Sequence, residues 1–187
     1  MNIHDIIKSI YKLPLASLET LTRSVSEVGY PKCFHLFREN RKEAKSYFIK
    51  EGIVRAYANK KEKEVTFWFG HEGDAIFPLQ TLFAGVEEYA SIELLEDSIL
   101  YEIDLKRLRD LYLTDIHIAN WGRKFAEYTC IKSEQLFIAR QFKTPTEMYK
   151  ELLTECPDII QRVPLGIVAS YLGISQVSLS RIRAKIR

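Results

Sequence analysis

No run of apolar residues in this chain of 187 approaches the roughly 18 that a membrane-crossing helix needs. The opening stretch, MNIHDIIKSIYKLPL, sets charged residues among apolar ones and lacks the unbroken apolar segment of a signal peptide. We expect a cytoplasmic chain with no membrane partner. Cysteine is scarce: Cys33, Cys130 and Cys156 are far apart and odd in number. That excludes a disulfide framework, a thiolate metal site and an N-terminal iron–sulfur cluster, and leaves reduced structural thiols. The four histidines, His4, His35, His71 and His117, include no His-x-His pair. A metal-dependent jelly-roll enzyme needs two close histidines, a glutamate and a later histidine. We therefore expect no metal, no cofactor, no catalytic residue and no enzyme activity. His71-Glu72 reads as a surface turn.

What the chain does have is a hydrophobic content of 47%, an aromatic content of 12% and no low-complexity segment, enough for a packed core in one or two domains. Its small net charge of +2 hides an asymmetry. Residues 159 to 187 contain Arg162, Arg181, Arg183, Lys185 and Arg187 and no acid, so they carry +5 against −3 for the rest. A local basic patch is the footprint of phosphate contacts.

That patch ends in PLGIVASYLGISQVSLSRIRAKIR. Leu165, Val168, Ala169 and Leu172 recur at helical spacing, and small Ala169 admits a close crossing. Gly173 follows as a left-handed stop, Ile174 tucks under the turn and Ser175 is a good N-cap. On the next helix Leu179, Ile182 and Ile186 share one arc and would pack on the first helix. Val177, Ser180, Arg181 and Ala184 face away, flanked by Ser178 and Lys185. A small, polar, positive helix face of this kind suits a DNA major groove. The candidate DNA-binding residues are Ser175, Gln176, Val177, Ser178, Ser180, Arg181 and Lys185. A plain helical hairpin with a solvated basic end is the bland alternative.

Upstream, residues 3 to 28 read as helix, broken at Pro14, with Ile6, Ile7, Ile10, Leu18, Leu21 and Val25 apolar. From Gly29 to Ile103 the texture changes to short strand-like runs: 46–50, 53–58, 64–70, 74–77, 89–94 and 98–103. A charged loop, 59–63, separates two of them. Such regular spacing predicts an antiparallel sandwich or jelly roll. Asp104 caps a helix to about Tyr112. Residues 115 to 142 form one long helix with Trp121, Phe125, Tyr128, Ile131, Leu136, Ile138 and Phe142 along it. Half of that stripe can pack on its own sandwich, and half suits the same helix of a second subunit. Trp121, Phe125, Tyr128, Lys132 and Leu136 are the candidate dimer contacts. A hinge at 143–146 and a short helix over 146–154, ended by Cys156-Pro-Asp158, lead into the final motif. The expected organisation is a sensor domain over 1–114, a dimerisation helix and hinge over 115–143, and a helix-turn-helix domain over 144–187.

Two stretches carry a resemblance. Tyr47 to Tyr57 (YFIKEGIVRAY) followed by Glu64 to Asp74 (EVTFWFGHEGD) is similar to the first half of a cyclic-nucleotide-binding sandwich. Ile167 to Ser175 with Leu179 to Arg183 closely resembles the end of Crp/Fnr transcription regulators, the relatives of the cyclic-AMP receptor protein. The resemblance covers nearly the whole chain. It implies an α+β fold: a cyclic-nucleotide-binding-like β jelly roll, a long dimerisation helix and a C-terminal helix-turn-helix. It implies a homodimer reading a palindromic double-stranded DNA site and recruiting or blocking RNA polymerase. The chain departs from the family twice. Gln176-Val177 stands where readers often carry Arg-Glu, while Arg181 is retained. Arg181 is expected to pair with guanine, Gln176 to read adenine and Val177 to touch a thymine methyl.

The second departure concerns the ligand. Gly73-Asp74 and Glu88-Tyr89-Ala90 match the family's Gly-Glu and Arg-Ser/Thr-Ala, which places the expected pocket at Gly73, Asp74, Glu88, Tyr89 and Ala90. Glu88 replaces the phosphate-binding Arg, and residues 73 to 100 hold no Lys or Arg. A carboxylate about 4 Å from a phosphate costs on the order of 4 kcal/mol at an effective dielectric near 20, which argues against a cyclic nucleotide. The pocket then holds another small-molecule effector, or is filled by Phe77, Phe83 and Tyr89. The competing function is a ligand-binding or interaction module whose DNA-binding end is degenerate. The chain stops too soon after the last helix for a winged hairpin, which would weaken its grip on phosphates.

Overall fold

The computed structural model describes residues 1–60 and 63–186. Two antiparallel four-stranded sheets form the jelly roll. β1 (Ser26–Tyr30), β8 (Ser98–Asp104), β3 (Lys45–Glu51) and β6 (Ala75–Ile76) make one sheet, in that order. β2 (His35–Phe37), β7 (Ser91–Leu94), β4 (Val54–Lys60) and β5 (Lys63–Gly70) make the other. The alternation of strand side chains sends Tyr47, Ile49, Val54, Ile76, Leu94 and Leu100 into the space between the sheets. Sequence texture anticipated β3 to β8. It read residues 26–28 as helix and missed β1 and β2. Both are short, and β1 is mostly exposed, so neither shows a clear apolar alternation. The expected loop at 59–63 falls partly on strand ends, and residues 61 and 62 lie outside the described ones.

The outer face of the first sheet is covered by helices. α1 (Ile3–Ile10) and α2 (Leu15–Arg23) flank the break at Pro14, and α3 (Leu105–Thr114) starts where the Asp104 carboxylate accepts the Lys106 and Arg107 N–H groups. α4 (Ile116–Phe142) is the long helix. Its first half joins Phe48, Phe77 and Leu108 in one core, where Trp121 is fully buried and its Nε1–H donates to the Ile7 carbonyl at 3.0 Å. Its second half leaves the sandwich. A capping box between Thr144 and Glu147, with Pro145 at the first position, stops α4 from running on and starts α5 (Pro145–Glu155). α5 ends at Glu155 with Cys156 as its C-cap, at the stop expected of Cys156-Pro-Asp158, and Pro157 then opens a further short helix, α6 (Pro157–Arg162), as proline does at a first turn. α7 (Leu165–Tyr171) and α8 (Gln176–Ile186) follow, crossing at 95°. Among the described residues no single helix is long and apolar enough to cross a membrane.

Candidate nucleic-acid interface

The turn between α7 and α8 is a Schellman motif. Gly173 sits at φ +70°, its N–H donates to the Ser170 carbonyl, and the Ile174 N–H reaches back to the Ala169 carbonyl. The Ser175 Oγ then accepts the Ser178 N–H at 3.1 Å, capping α8. Leu179 is fully buried against Val168, Ala169 and Leu172, with Ile182 and Ile186 packed beside them. These contacts hold the opposite face of α8 outward. Gln176, Ser180, Arg181 and Lys185 are exposed, and Val177 is 62% exposed. Ser178 is less free than the sequence suggested, because its N–H and Oγ are both engaged with Ser175.

One charge changes sides. Arg162, counted with the basic patch, is bound to two carboxylates of the sandwich. Its Nη2 donates to Glu72 Oε1 at 2.7 Å and its Nη1 to Glu72 Oε2 at 3.2 Å, while Glu96 takes a further ion pair. Charge counting cannot tell a free guanidinium from a paired one. Glu72, Glu96 and Ser170, which join the helical unit to the sandwich, carried no signal in sequence. Arg187 lies outside the described residues.

The expected dimer contacts divide. Trp121 and Phe125 are spent inside the chain's own core, tilted against Phe77 and stacked on each other, and so leave that set. Tyr128 and Lys132 are exposed on the free half of α4, with the Lys132 ammonium 5.7 Å from the Tyr128 ring, and Leu136 is half-buried. The exposed seam runs through Tyr128, Ile131, Gln135, Ile138 and Phe142, at spacings of three and four. That is the heptad spacing of a two-helix contact. Cys33 and Cys130 are exposed and Cys156 is half-buried; all three are free thiols.

The five expected pocket residues do not come together. Gly73 and Asp74 form the β5–β6 turn, where the Gly73 N–H donates to Ile49 and the Asp74 carboxylate accepts the His71 N–H at 2.9 Å. Glu88 lies elsewhere, against Asn40, Arg41 and Thr81. Its buried carboxylate accepts the Thr81 N–H at 2.8 Å at the start of a π-helical turn, Gln80–Ala84, which Arg109 closes by donating to the Thr81 carbonyl. Tyr89 is exposed and stacked beside Phe67, and Ala90 is half-buried. The aromatic filling expected of the pocket is also corrected. Phe77 packs on the helices and Phe83 is exposed, so aliphatic residues with Phe37 and Tyr47 fill the space between the sheets. A buried guanidinium, Arg55, sits on β4 beside inward-facing Val54 and is held by Glu64 and Glu93 over the Tyr57 ring.

With this geometry in view, residues 27–115 match the cyclic nucleotide-binding domain family. The chain therefore carries a domain of that family, set in the fold of the Crp/Fnr regulators, as the sequence resemblance anticipated. A protein from Eubacterium rectale described as a Crp/Fnr-family transcriptional regulator superposes with a TM-score of 0.74 at 16% identity, covering 93% of this chain and 83% of that one. FixK2 from Bradyrhizobium japonicum gives 0.69 at 17% identity, covering 87% and 84%. CLP from Xanthomonas campestris, a c-di-GMP-responsive global regulator, gives 0.67 at 16% identity, covering 92% and 91%. At these identities what is shared is the fold. No curated protein sequence matches the chain.

Proposed function

We propose that the chain is a sequence-specific DNA-binding transcription regulator that works as a homodimer on a palindromic site, without a cyclic-nucleotide signal. The observation that carries the reading is the exposed face of α8. It presents Gln176, Val177, Ser180, Arg181 and Lys185 on a helix whose other face is locked into a hydrophobic core. Ser175 and Ser178 hold its first turn, the part that reaches base edges in such motifs. The seam on α4 supports the dimer: its spacing is that of like packing on like, and four of its five residues are apolar. Two recognition helices then meet successive major grooves one helical turn apart. The absence of a nucleotide signal is supported by Glu88, whose buried carboxylate already takes the Thr81 N–H where the family's Arg would meet a phosphate. Binding at a control region would recruit RNA polymerase or obstruct it.

The test is selection of genomic fragments by the purified protein, followed by Arg181→Ala. Specific binding should fall by about 1–3 kcal/mol, with relaxed preference at one base pair. Equal loss on all sequences, or no preferred sequence at all, sinks the reading in favour of an interaction module. Calorimetry with cyclic AMP and cyclic GMP should give no binding heat.

A further inference from the structure

We propose that Arg162 is a positioning residue for DNA reading: it latches the helix-turn-helix unit onto the sandwich through Glu72 and Glu96, and so sets the pose from which α8 meets the groove. This rests on the DNA reading proposed above. The Arg162 guanidinium closes α6 and grips both oxygens of Glu72, with Nε 3.4 Å from Glu96 Oε2. Glu72 is itself anchored, because its Oε1 accepts the Gly52 N–H at 2.9 Å. Gly52 is fixed in turn: at φ +125°, a Cβ there would lie 2.1 Å from the Ser98 Oγ.

Three further contacts complete the latch. The Ser170 Oγ accepts the Thr66 N–H and donates to the Glu64 carbonyl, each at 3.0 Å, so α7 satisfies the open edge of β5 as another strand would. Tyr171 packs on Phe69 at 5.1 Å between ring centres, and the Arg140 guanidinium lies 5.2 Å from the Tyr171 centroid. Ile53 and Leu95 of the sandwich join the same core as Val168 and Leu179. A body tethered only at Lys143–Thr144 could swing; one held at several separate points cannot. All of these contacts lie away from the exposed face of α8, so docking leaves that face free. A dimer must match two recognition helices to a fixed half-site spacing. Apparent affinity therefore falls with the fraction of molecules holding the right pose.

The alternative role for Arg162, a phosphate contact, makes opposite predictions. Under the latch, Arg162→Ala lowers specific affinity by about three- to tenfold while leaving the salt slope unchanged, and Arg162→Lys restores part of it. Glu72→Gln lowers specific affinity too. Were Arg162 a phosphate contact, Arg162→Ala would flatten the salt slope by about one unit, and Glu72→Gln would release the cation and raise affinity; either result overturns the proposal. A DNA-free measurement stands beside these. Thr66 N–H exchange should be protected in the intact chain and lose protection in Arg162→Ala, and unchanged protection overturns the latch. If no DNA sequence is preferred by the unaltered protein, the DNA reading fails, while Thr66 exchange still decides whether Arg162 holds the docked pose.

Discussion

Ile131 lies in the middle of the exposed seam of α4 and is 54% exposed in the single chain. If that seam meets its copy, Ile131→Asp acts twice in every dimer. Burying the exposed half of an isoleucine is worth about 1 kcal/mol, so each chain forfeits that much. The two new carboxylates would face each other across the seam at roughly 8 Å, adding about 2 kcal/mol of repulsion at an effective dielectric near 20. Together these weaken the dimer by about 4 kcal/mol, roughly a thousandfold in dissociation constant. Sedimentation velocity over a range of concentrations reads this directly. The control is Phe137→Asp. Phe137 is 65% exposed on the same stretch of helix but points well away from the seam, so the same charge there should leave the dimer intact. The reasoning fails if Ile131→Asp sediments like the unaltered protein, or if Phe137→Asp dissociates it just as fully.

Two other perturbations probe the fold that presents α8. Gly173→Ala forces a Cβ into a left-handed residue with open space around it, so the cost is backbone strain alone, about 1–2 kcal/mol. Thermal melts should show that loss, and a stabilised variant would refute the Schellman assignment. Acid provides the second. Burial disfavours the charge on Glu72, but Arg162 and the Gly52 N–H outweigh it and hold the carboxyl at about 2, below its ordinary 4.5. A depressed carboxyl stabilises the docked form above its unfolded pKa, and that contribution is lost as pH falls from about 4.5 through 2. Screening around this solvent-accessible pair limits it to about 1 kcal/mol. Nearby Asp74, pushed up by burial, works in the opposite sense and favours the folded form on protonation. The amide resonances of Gly52 and Thr66 should therefore hold steady from pH 7 to 5 and shift below 4.5. A transition between pH 5 and 7 would remove Glu72 from the account.

The parts of this molecule that were legible in sequence are those that local chemistry fixes. Gly173, Ser175 and the spacing of Leu179 to Ile186 specify a tight helical corner from within two dozen residues, and the structure closes it with the hydrogen bonds those residues offer. Asp104 marks a helix start for the same reason, whereas the Thr144 cap, inside the stretch read as a hinge, starts its helix one residue earlier than the sequence suggested. What stayed hidden depends on residues distant in sequence. Arg162 meets Glu72 across 90 positions and Glu96 across 66, and Ser170 meets Thr66 across 104. Each looks like an ordinary surface residue until the fold brings its partner within reach. The expected pocket residues part for another reason: motifs that follow one another along the chain need not share neighbours, and Gly73–Asp74 and Glu88 bond to different ones. The Glu88 carboxylate, set where the resemblance implies an Arg, turns inward and accepts the Thr81 N–H, a partner that lies seven residues upstream and only the fold brings to it.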